Sequence, residues 1–134
     1  MSLKIAVAGA SGRMGRMLIE AVEAAPDCTL AGTLDIGRDI AANLADAQVL
    51  IDFTRPEGTM AHLAACRERG IKAVIGTTGF SAAQKAEIAD HAKHIALMVA
   101  PNMSVGVNVV LRLLDTAARA LAEQLPSRNS RDYG

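Results

Sequence analysis

The chain has 134 residues, and its 14 Lys and Arg side chains balance 14 Asp and Glu side chains, so the formal net charge is zero. This balance argues against a nucleic-acid groove, which usually shows a basic surplus, and the aromatic content of 2% leaves few platforms for stacked bases. No apolar run approaches the roughly 18 residues of a membrane span. With two isolated cysteines and no CxxC pair, the composition predicts a cytoplasmic globular domain whose core is aliphatic.

Apolar runs of strand length alternate with helical patterns, which is typical of βαβ units around a parallel sheet. The predicted strands are residues 4–8, 29–34, 48–53, 72–75 and 94–99. The predicted helices are residues 14–24, 38–45, 54–69, 81–93 and 105–125. The sequence therefore predicts one Rossmann-like, doubly wound α/β domain over residues 1–125, followed by a polar, disordered tail over residues 126–134.

Two of these helices begin with the pattern of a capping box, in which a hydroxyl and a side chain three residues later bond reciprocally to backbone amides. Thr54 with Glu57 is the first pair, and Ser81 with Gln84 is the second. In the helix 14–24, we expect Met17 to join Leu18 and Val22 on the buried face.

Gly9, Gly12 and Gly15 lie between the first strand and the first helix. In dinucleotide-binding folds such glycines allow the sharp turn, the approach of backbone amides to a pyrophosphate, and close packing of helix and strand. The spacing here is GxxGxxG rather than GxGxxG, and a tight turn without a ligand is the alternative interpretation. Asp35 ends the second strand about twenty residues later, where an acidic side chain bonds the adenosine ribose.

Three further strands end in small or polar residues, and ligands of open parallel sheets lie beyond the carboxyl ends of the strands. These ends are Phe53-Thr54, the GTTG segment at residues 76–79, and the APNMS segment at residues 100–104. We expect them to line one crevice, in which the GTTG segment leaves room for a flat nicotinamide ring.

The remaining candidates for chemistry carry weaker signals. His62, His91 and His94 lie in or beside helices without Cys or carboxylate groups at ligand spacing, so we expect surface or packing roles and no metal site. Cys28 and Cys66 are interpreted as inert packing residues. For Arg13, contact with a phosphate and a solvated position are equally good interpretations.

Four motifs taken together resemble one family, the dihydrodipicolinate (4-hydroxy-tetrahydrodipicolinate) reductases of bacterial diaminopimelate and lysine synthesis. They are GASGRMGR at residues 9–16, DFTRPEGT at 52–59, IGTTGF at 75–80 and APNMSVGVN at 100–108. The resemblance implies a domain that binds NADH or NADPH, whose hydride reduces a double bond of a cyclic dicarboxylate. The cofactor-binding residues it implies are Gly9, Ala10, Ser11, Gly12, Arg13, Met14, Gly15, Asp35, Phe53, Thr54, Gly76, Thr77, Thr78, Ala100, Pro101, Asn102 and Met103. Thr78 would also face the substrate.

Two departures from the family pattern set further expectations. Ile36 follows Asp35 where the family often has an arginine, which leaves the choice between NADH and NADPH open. The histidine-rich motif and the Ser-Gly-Thr segment of the family's second domain, which also forms its tetramer, have no counterpart here, so we assign no catalytic residue. The chain is then an N-terminal fragment or a short relative, expected to bind cofactor without turnover. The alternatives are a regulatory nucleotide-binding module and a purely structural domain.

Overall fold

A computed structural model describes residues 3–26 and 28–99, together with Arg112 and Thr116. Strands and helices alternate through this part of the chain, as the sequence predicts. The strands are β1 (Leu3–Ala8), β2 (Cys28–Leu34), β3 (Val49–Asp52), β4 (Lys72–Ile75) and β5 (Leu97–Val99). The helices are α1 (Arg13–Ala24), α2 (Ile40–Leu44), α3 (Pro56–Arg69) and α4 (Ala82–His91).

The five strands form one parallel sheet in the order β2-β1-β3-β4-β5. The chain moves outward from β1 to β2, then crosses back over β1 and proceeds through β3 to β5. Because such crossovers are right-handed, this reversal places α1 on one face of the sheet and the later helices on the other. The doubly wound α/β fold is confirmed, and its switch point lies between β1 and β3, where ligands of such sheets bind.

Side chains that alternate along the strands build a core on each face. On one face Ile5 and Val7 pack with Leu18 and Val22 of α1. On the other, Ala6 and Ala8 of the same strand share a cluster with residues of α2, α3 and α4. The strands are apolar on both sides because both faces are covered.

Three local expectations are wrong. Met17 is 49% exposed, because the buried stripe of α1 follows Gly15, Leu18 and Val22 at helical spacing. β5 begins at Leu97 rather than residue 94, since the amides of residues 94 and 95 bond back to the carbonyl of His91 and prolong the turn after α4.

The third concerns the capping boxes. The Ser81–Gln84 box is formed with both of its bonds. The Thr54–Glu57 box is absent: Arg55 is the N-cap of α3, without a side-chain cap, and the Thr54 hydroxyl instead donates to Asp52 Oδ1 at 2.6 Å. The bond to this buried carboxylate orients the hydroxyl toward Asp52, and no helix amide donates to it as a capping bond would require.

Several expectations lie outside the described residues. They include the binding residues Ala100, Pro101, Asn102 and Met103, the tail 126–134, and the helix 105–125 apart from Arg112 and Thr116, which are helical. Among the helices that the structure describes, none is long and apolar enough to cross a membrane.

Candidate functional site

A cleft of about 480 Å³ opens at the carboxyl ends of β1, β2 and β3. It lies at the switch point of the sheet, where the sequence places its crevice. Its lining residues are Gly9, Ser11, Gly12, Asp35, Ile36, Phe53, Thr54, Arg55, Glu57, Gly58 and His62. Six of these, namely Gly9, Ser11, Gly12, Asp35, Phe53 and Thr54, belong to the predicted site.

The three glycines of the β1–α1 turn differ in what the fold requires of them. Gly9 has φ +86°, a conformation that side chains rarely adopt, and its N–H donates to the Leu34 carbonyl at 2.9 Å. A Cβ at Gly15 would lie 1.9 Å from the Gly9 carbonyl oxygen, so only glycine lets α1 approach the turn. A Cβ at Gly12 would meet nothing nearer than that same oxygen, at 3.4 Å.

Asp35 connects the end of β2 with the glycine turn. Its Oδ2 accepts a hydrogen bond from the Ser11 N–H at 3.0 Å, and its Oδ1 accepts one from the Ile36 N–H at 2.9 Å. Hydrogen bonds from the Ser11 side chain and the Ile36 amide hold the pKa of this carboxyl below its ordinary value. The carboxylate is therefore charged at neutral pH, at the edge of the cleft.

Of the residues that follow Asp35, Ile36 is uncharged and Arg38 is the nearest cation; its charge makes the smallest contribution to the lowered pKa of Asp35. Ile36 is 97% exposed and lines the cleft. The Arg38 guanidinium donates to the Thr33 hydroxyl at 2.7 Å, which directs it along the edge strand β2.

Gly76 and Thr77, which follow β4, are buried and make contacts inside the protein. A Cβ at Gly76 would lie 2.0 Å from the ring of Phe53, so this glycine makes room for the ring. The buried Thr77 hydroxyl accepts hydrogen bonds from the Thr54 N–H at 3.1 Å and from the Thr59 hydroxyl at 2.9 Å. Thr78, by contrast, is exposed.

The other predicted residues of the glycine turn lie around its rim. Arg13 is exposed, Ala10 is half-buried, and Met14 packs partly against the core.

The sequence does not predict a buried pair of side chains that lies beneath the cleft, Asp52 and His62. Asp52, 1% exposed at the end of β3, accepts hydrogen bonds from the Thr54 N–H and hydroxyl on Oδ1. Its Oδ2 lies 2.7 Å from Nδ1 of His62, a cleft residue of α3 that is 8% exposed. The signal was present: His62 shares the helical spacing of Thr59, Leu63 and Cys66, the other buried residues of α3.

The sequence also leads to predictions about metal binding and about the cysteines. In the described residues, no group of three or more His, Cys, Asp or Glu side chains could hold a metal ion. Burial raises the pKa of the Cys66 thiol to about 12, so this cysteine stays protonated and inert.

The parallel sheet and the cleft at its switch point define the class of protein, a Rossmann-like α/β domain with a cleft beside its glycine turn. The family described as "Dihydrodipicolinate reductase, N-terminus" matches residues 3–103. The chain belongs to the dihydrodipicolinate reductase family and corresponds to its N-terminal, nucleotide-binding domain.

Individual relatives agree with this assignment. The chain is 54% identical to the 4-hydroxy-tetrahydrodipicolinate reductase of Burkholderia mallei (strain SAVP1), over 91% of this chain and 54% of that protein. It is 52% identical to the same enzyme of Herminiimonas arsenicoxydans, over 90% of this chain and 53% of that protein. The chain thus spans about half the length of the curated relatives it matches.

A solved structure supports the fold. The dipicolinate-bound dihydrodipicolinate reductase of Paenisporosarcina sp. TG-14 aligns with a TM-score of 0.68 at 19% identity. The alignment covers 99% of this chain and 63% of that one.

Proposed function

We propose that the chain binds NADH or NADPH in the cleft, as the cofactor domain of a cytoplasmic 4-hydroxy-tetrahydrodipicolinate reductase in diaminopimelate and lysine synthesis. The cofactor diphosphate would lie against the amides at the start of α1. A helix N-terminus favours an anion because its first N–H groups lack intrahelical partners and its dipole is positive there.

The main support for this proposal is the glycine at residue 12. The fold itself explains Gly9 through its positive φ and Gly15 through its close packing. Gly12 has φ −80°, which any residue adopts, and a Cβ there would meet only one atom, at 3.4 Å. As the N-cap of α1 it also supplies no side chain to the first amides. Glycine is accepted at an N-cap but ranks below Asn, Asp and Ser there, so a ligand that approaches the backbone at this cleft residue gives the stronger reason for a glycine.

Substitution of Gly12 by valine tests the proposal. We expect Gly12→Val to weaken NADH binding at least tenfold, measured by titration calorimetry, because the side chain occupies the space of the diphosphate. Ala24→Val, which adds similar bulk at an exposed position in the last turn of α1, is the matched control. Unchanged affinity in a Gly12→Val variant whose circular dichroism is native would refute the diphosphate site.

The surroundings of Asp35 support a preference for NADH. A carboxylate accepts hydrogen bonds from ribose hydroxyls and repels a 2′-phosphate. Ile36 brings no charge, and Arg38, whose charge contributes least to the lowered pKa of Asp35, donates to Thr33. We expect NADH to bind at least as tightly as NADPH, and a clear preference for NADPH in parallel titrations would contradict this role of Asp35.

The nicotinamide half of the cofactor would lie toward the ends of β3 and β4. Phe53 and Thr54 line this end of the cleft, Gly76 makes room for the Phe53 ring, and exposed Thr78 would meet the cyclic dicarboxylate. Thr77 would take part through its backbone, because its hydroxyl is already bonded to Thr54 and Thr59. Ala100, Pro101, Asn102 and Met103 complete the proposed nicotinamide site.

Reduction of the dicarboxylate and the tetramer belong to the proposal for a whole reductase. For the 134-residue chain, we expect binding without turnover, because protonation of the reduced product needs a positioned acid and we assign none here. Absorbance of reduced nicotinamide, followed with freshly generated dihydrodipicolinate, measures this. A rate near 1 per second, ordinary for enzymes, would show that the chain holds a complete active site.

A further inference from the structure

The buried Asp52–His62 pair lies at the end of the cleft away from Asp35. One ring nitrogen of His62 is occupied, since Nδ1 is 2.7 Å from Asp52 Oδ2. Nε2 has no hydrogen-bond partner in the described part of the chain. His62 lines the cleft and keeps 8% of its surface exposed, so we place Nε2 on the side of the ring that faces the cleft.

The partners of Asp52 decide what Nε2 can do. Asp52 Oδ1 already accepts two hydrogen bonds from Thr54, at 2.9 and 2.6 Å. We therefore assign the proton of the neutral imidazole to Nδ1, which donates it to Oδ2. The carboxylate fixes the tautomer and the ring orientation, so Nε2 offers a lone pair to the cleft.

The cleft then presents hydrogen-bonding groups in a definite order across the strands. An acceptor, the Asp35 carboxylate, lies at the end of β2, and the first N–H groups of α1 follow beyond the end of β1. A second acceptor, His62 Nε2, lies beside the end of β3. Since these strands are neighbours in the order β2-β1-β3, the sequence acceptor, donors, acceptor matches a ribose, a diphosphate and a second ribose.

We propose that His62 Nε2 accepts a hydrogen bond from a hydroxyl of the second ribose of the dinucleotide, the ribose that carries the nicotinamide. This rests on the proposed function, because it requires a nucleotide in the cleft. Gly58 lines the cleft beside this ring: a Cβ there would lie 3.0 Å from Thr54 Oγ1 and in ordinary contact, at 3.7 Å, with His62 Cε1. His62 would thereby distinguish a dinucleotide from a mononucleotide.

A series of truncated ligands separates the two halves of the site in the unmodified 134-residue chain. ADP contains the first ribose and the diphosphate, whereas ADP-ribose adds the second ribose without the nicotinamide. We expect ADP-ribose to bind about tenfold more tightly than ADP, as one further hydrogen bond implies. With ¹⁵N-labelled histidine, the Nε2 resonance of His62 should shift on addition of ADP-ribose and stay in place with ADP.

Two substitutions distinguish a ligand contact from a purely structural role. In His62→Asn the amide nitrogen can take the place of Nδ1 and keep the bond to Asp52, but nothing replaces Nε2. In His62→Gln the amide can reach the place of Nε2. We expect His62→Asn to lose the tenfold advantage of ADP-ribose while its affinity for ADP is unchanged, and His62→Gln to retain more of that advantage.

Each result decides one proposal. If ADP and ADP-ribose bind equally to the unmodified chain, or the His62 resonance does not move, the ribose contact is wrong although the diphosphate site stands. Equal losses for both ligands in His62→Asn would assign His62 to structural support of the cleft alone. If neither ligand binds the unmodified chain, the proposed function itself fails. The NMR measurement applies even where a variant does not fold.

Discussion

The β1–α1 turn and the β3–α3 turn both lead from a central strand into a helix beside the cleft, yet they are built differently. In the first, glycine backbone geometry sets the shape, through Gly9 at φ +86° and the contact of Gly15 with the Gly9 carbonyl. In the second, side chains set the shape, because Asp52 binds both Thr54 and His62.

This difference has a physical consequence for each side of the cleft. In the first turn the amides of residues 9–12 already donate within the protein, and the turn instead presents the first N–H groups of α1, which lack intrahelical partners and suit an anion that binds without regard to side chains. A side-chain network occupies its polar groups internally and presents selected atoms, which suits recognition of a particular group. The first turn would bind what all nucleotides share, and the second would recognise one of their parts.

The largest effect is expected where the first turn depends most strictly on glycine. In Gly15→Ala the new Cβ would lie 1.9 Å from the Gly9 oxygen and 2.6 Å from its carbonyl carbon. Both atoms belong to the backbone, so the helix or the turn must move. We expect a loss of about 3 kcal/mol in the free energy of unfolding, at the upper range for an overpacked site, measured by urea denaturation.

The matched control for this variant is Gly12→Ala in the same turn. Its Cβ has 3.4 Å to its nearest neighbour, so we expect a change in stability within about 1 kcal/mol, the scale of a weaker N-cap residue. If the two variants lost equal stability, the division of roles among the glycines would be wrong.

The second turn is tested at Asp52. In Asp52→Asn the amide nitrogen opposes His62 Nδ1, which can accept from it only if the ring proton moves to Nε2, and the bonds from Thr54 lose their charged acceptor. Because hydrogen bonds to charged groups contribute about 1.5–3 kcal/mol, we expect a loss of about 2 kcal/mol in the free energy of unfolding.

Asp46→Asn provides the comparison for Asp52→Asn. Asp46 is exposed and paired with Lys4, and such surface pairs contribute little to stability. An Asp52→Asn variant as stable as Asp46→Asn would show that the side-chain network does not hold the second turn together.

The two turns also differ in how far the sequence predicts them. Glycine spacing after an apolar strand reports the backbone directly, so the first turn, the parallel sheet and Asp35 at the cleft follow from short patterns. The Thr54 capping box fails because its competitor, Asp52, precedes the helix and is buried only in the folded chain. His62 and Asp52 lie ten residues apart on different elements, and their pairing depends on how α3 packs against β3, which no local pattern contains.

The smallest effect is expected at Asp35, the side chain that attaches the first turn to β2. Its folded-state pKa is lowered from 3.8 by hydrogen bonds from Ser11 and Ile36. A lowered pKa means that the folded state favours the charged form, so the resulting stability is fully present above the ordinary pKa and is lost as pH falls through the folded value. Because the group is close to solvent, we expect Asp35→Asn to cost less than about 1 kcal/mol at neutral pH.

The pH dependence identifies the cause of that small loss. The stability difference between the unmodified chain and Asp35→Asn should shrink as pH falls below 4, since the wild-type carboxyl then becomes neutral too. In NMR titrations, the amide resonances of Ser11 and Ile36 should follow the Asp35 carboxyl with a common midpoint below 3.8. A midpoint at or above that value would mean that the carboxylate does not hold the turn in solution. The first turn would then depend on its glycines alone, and Asp35 would be free of protein partners when a ribose arrives.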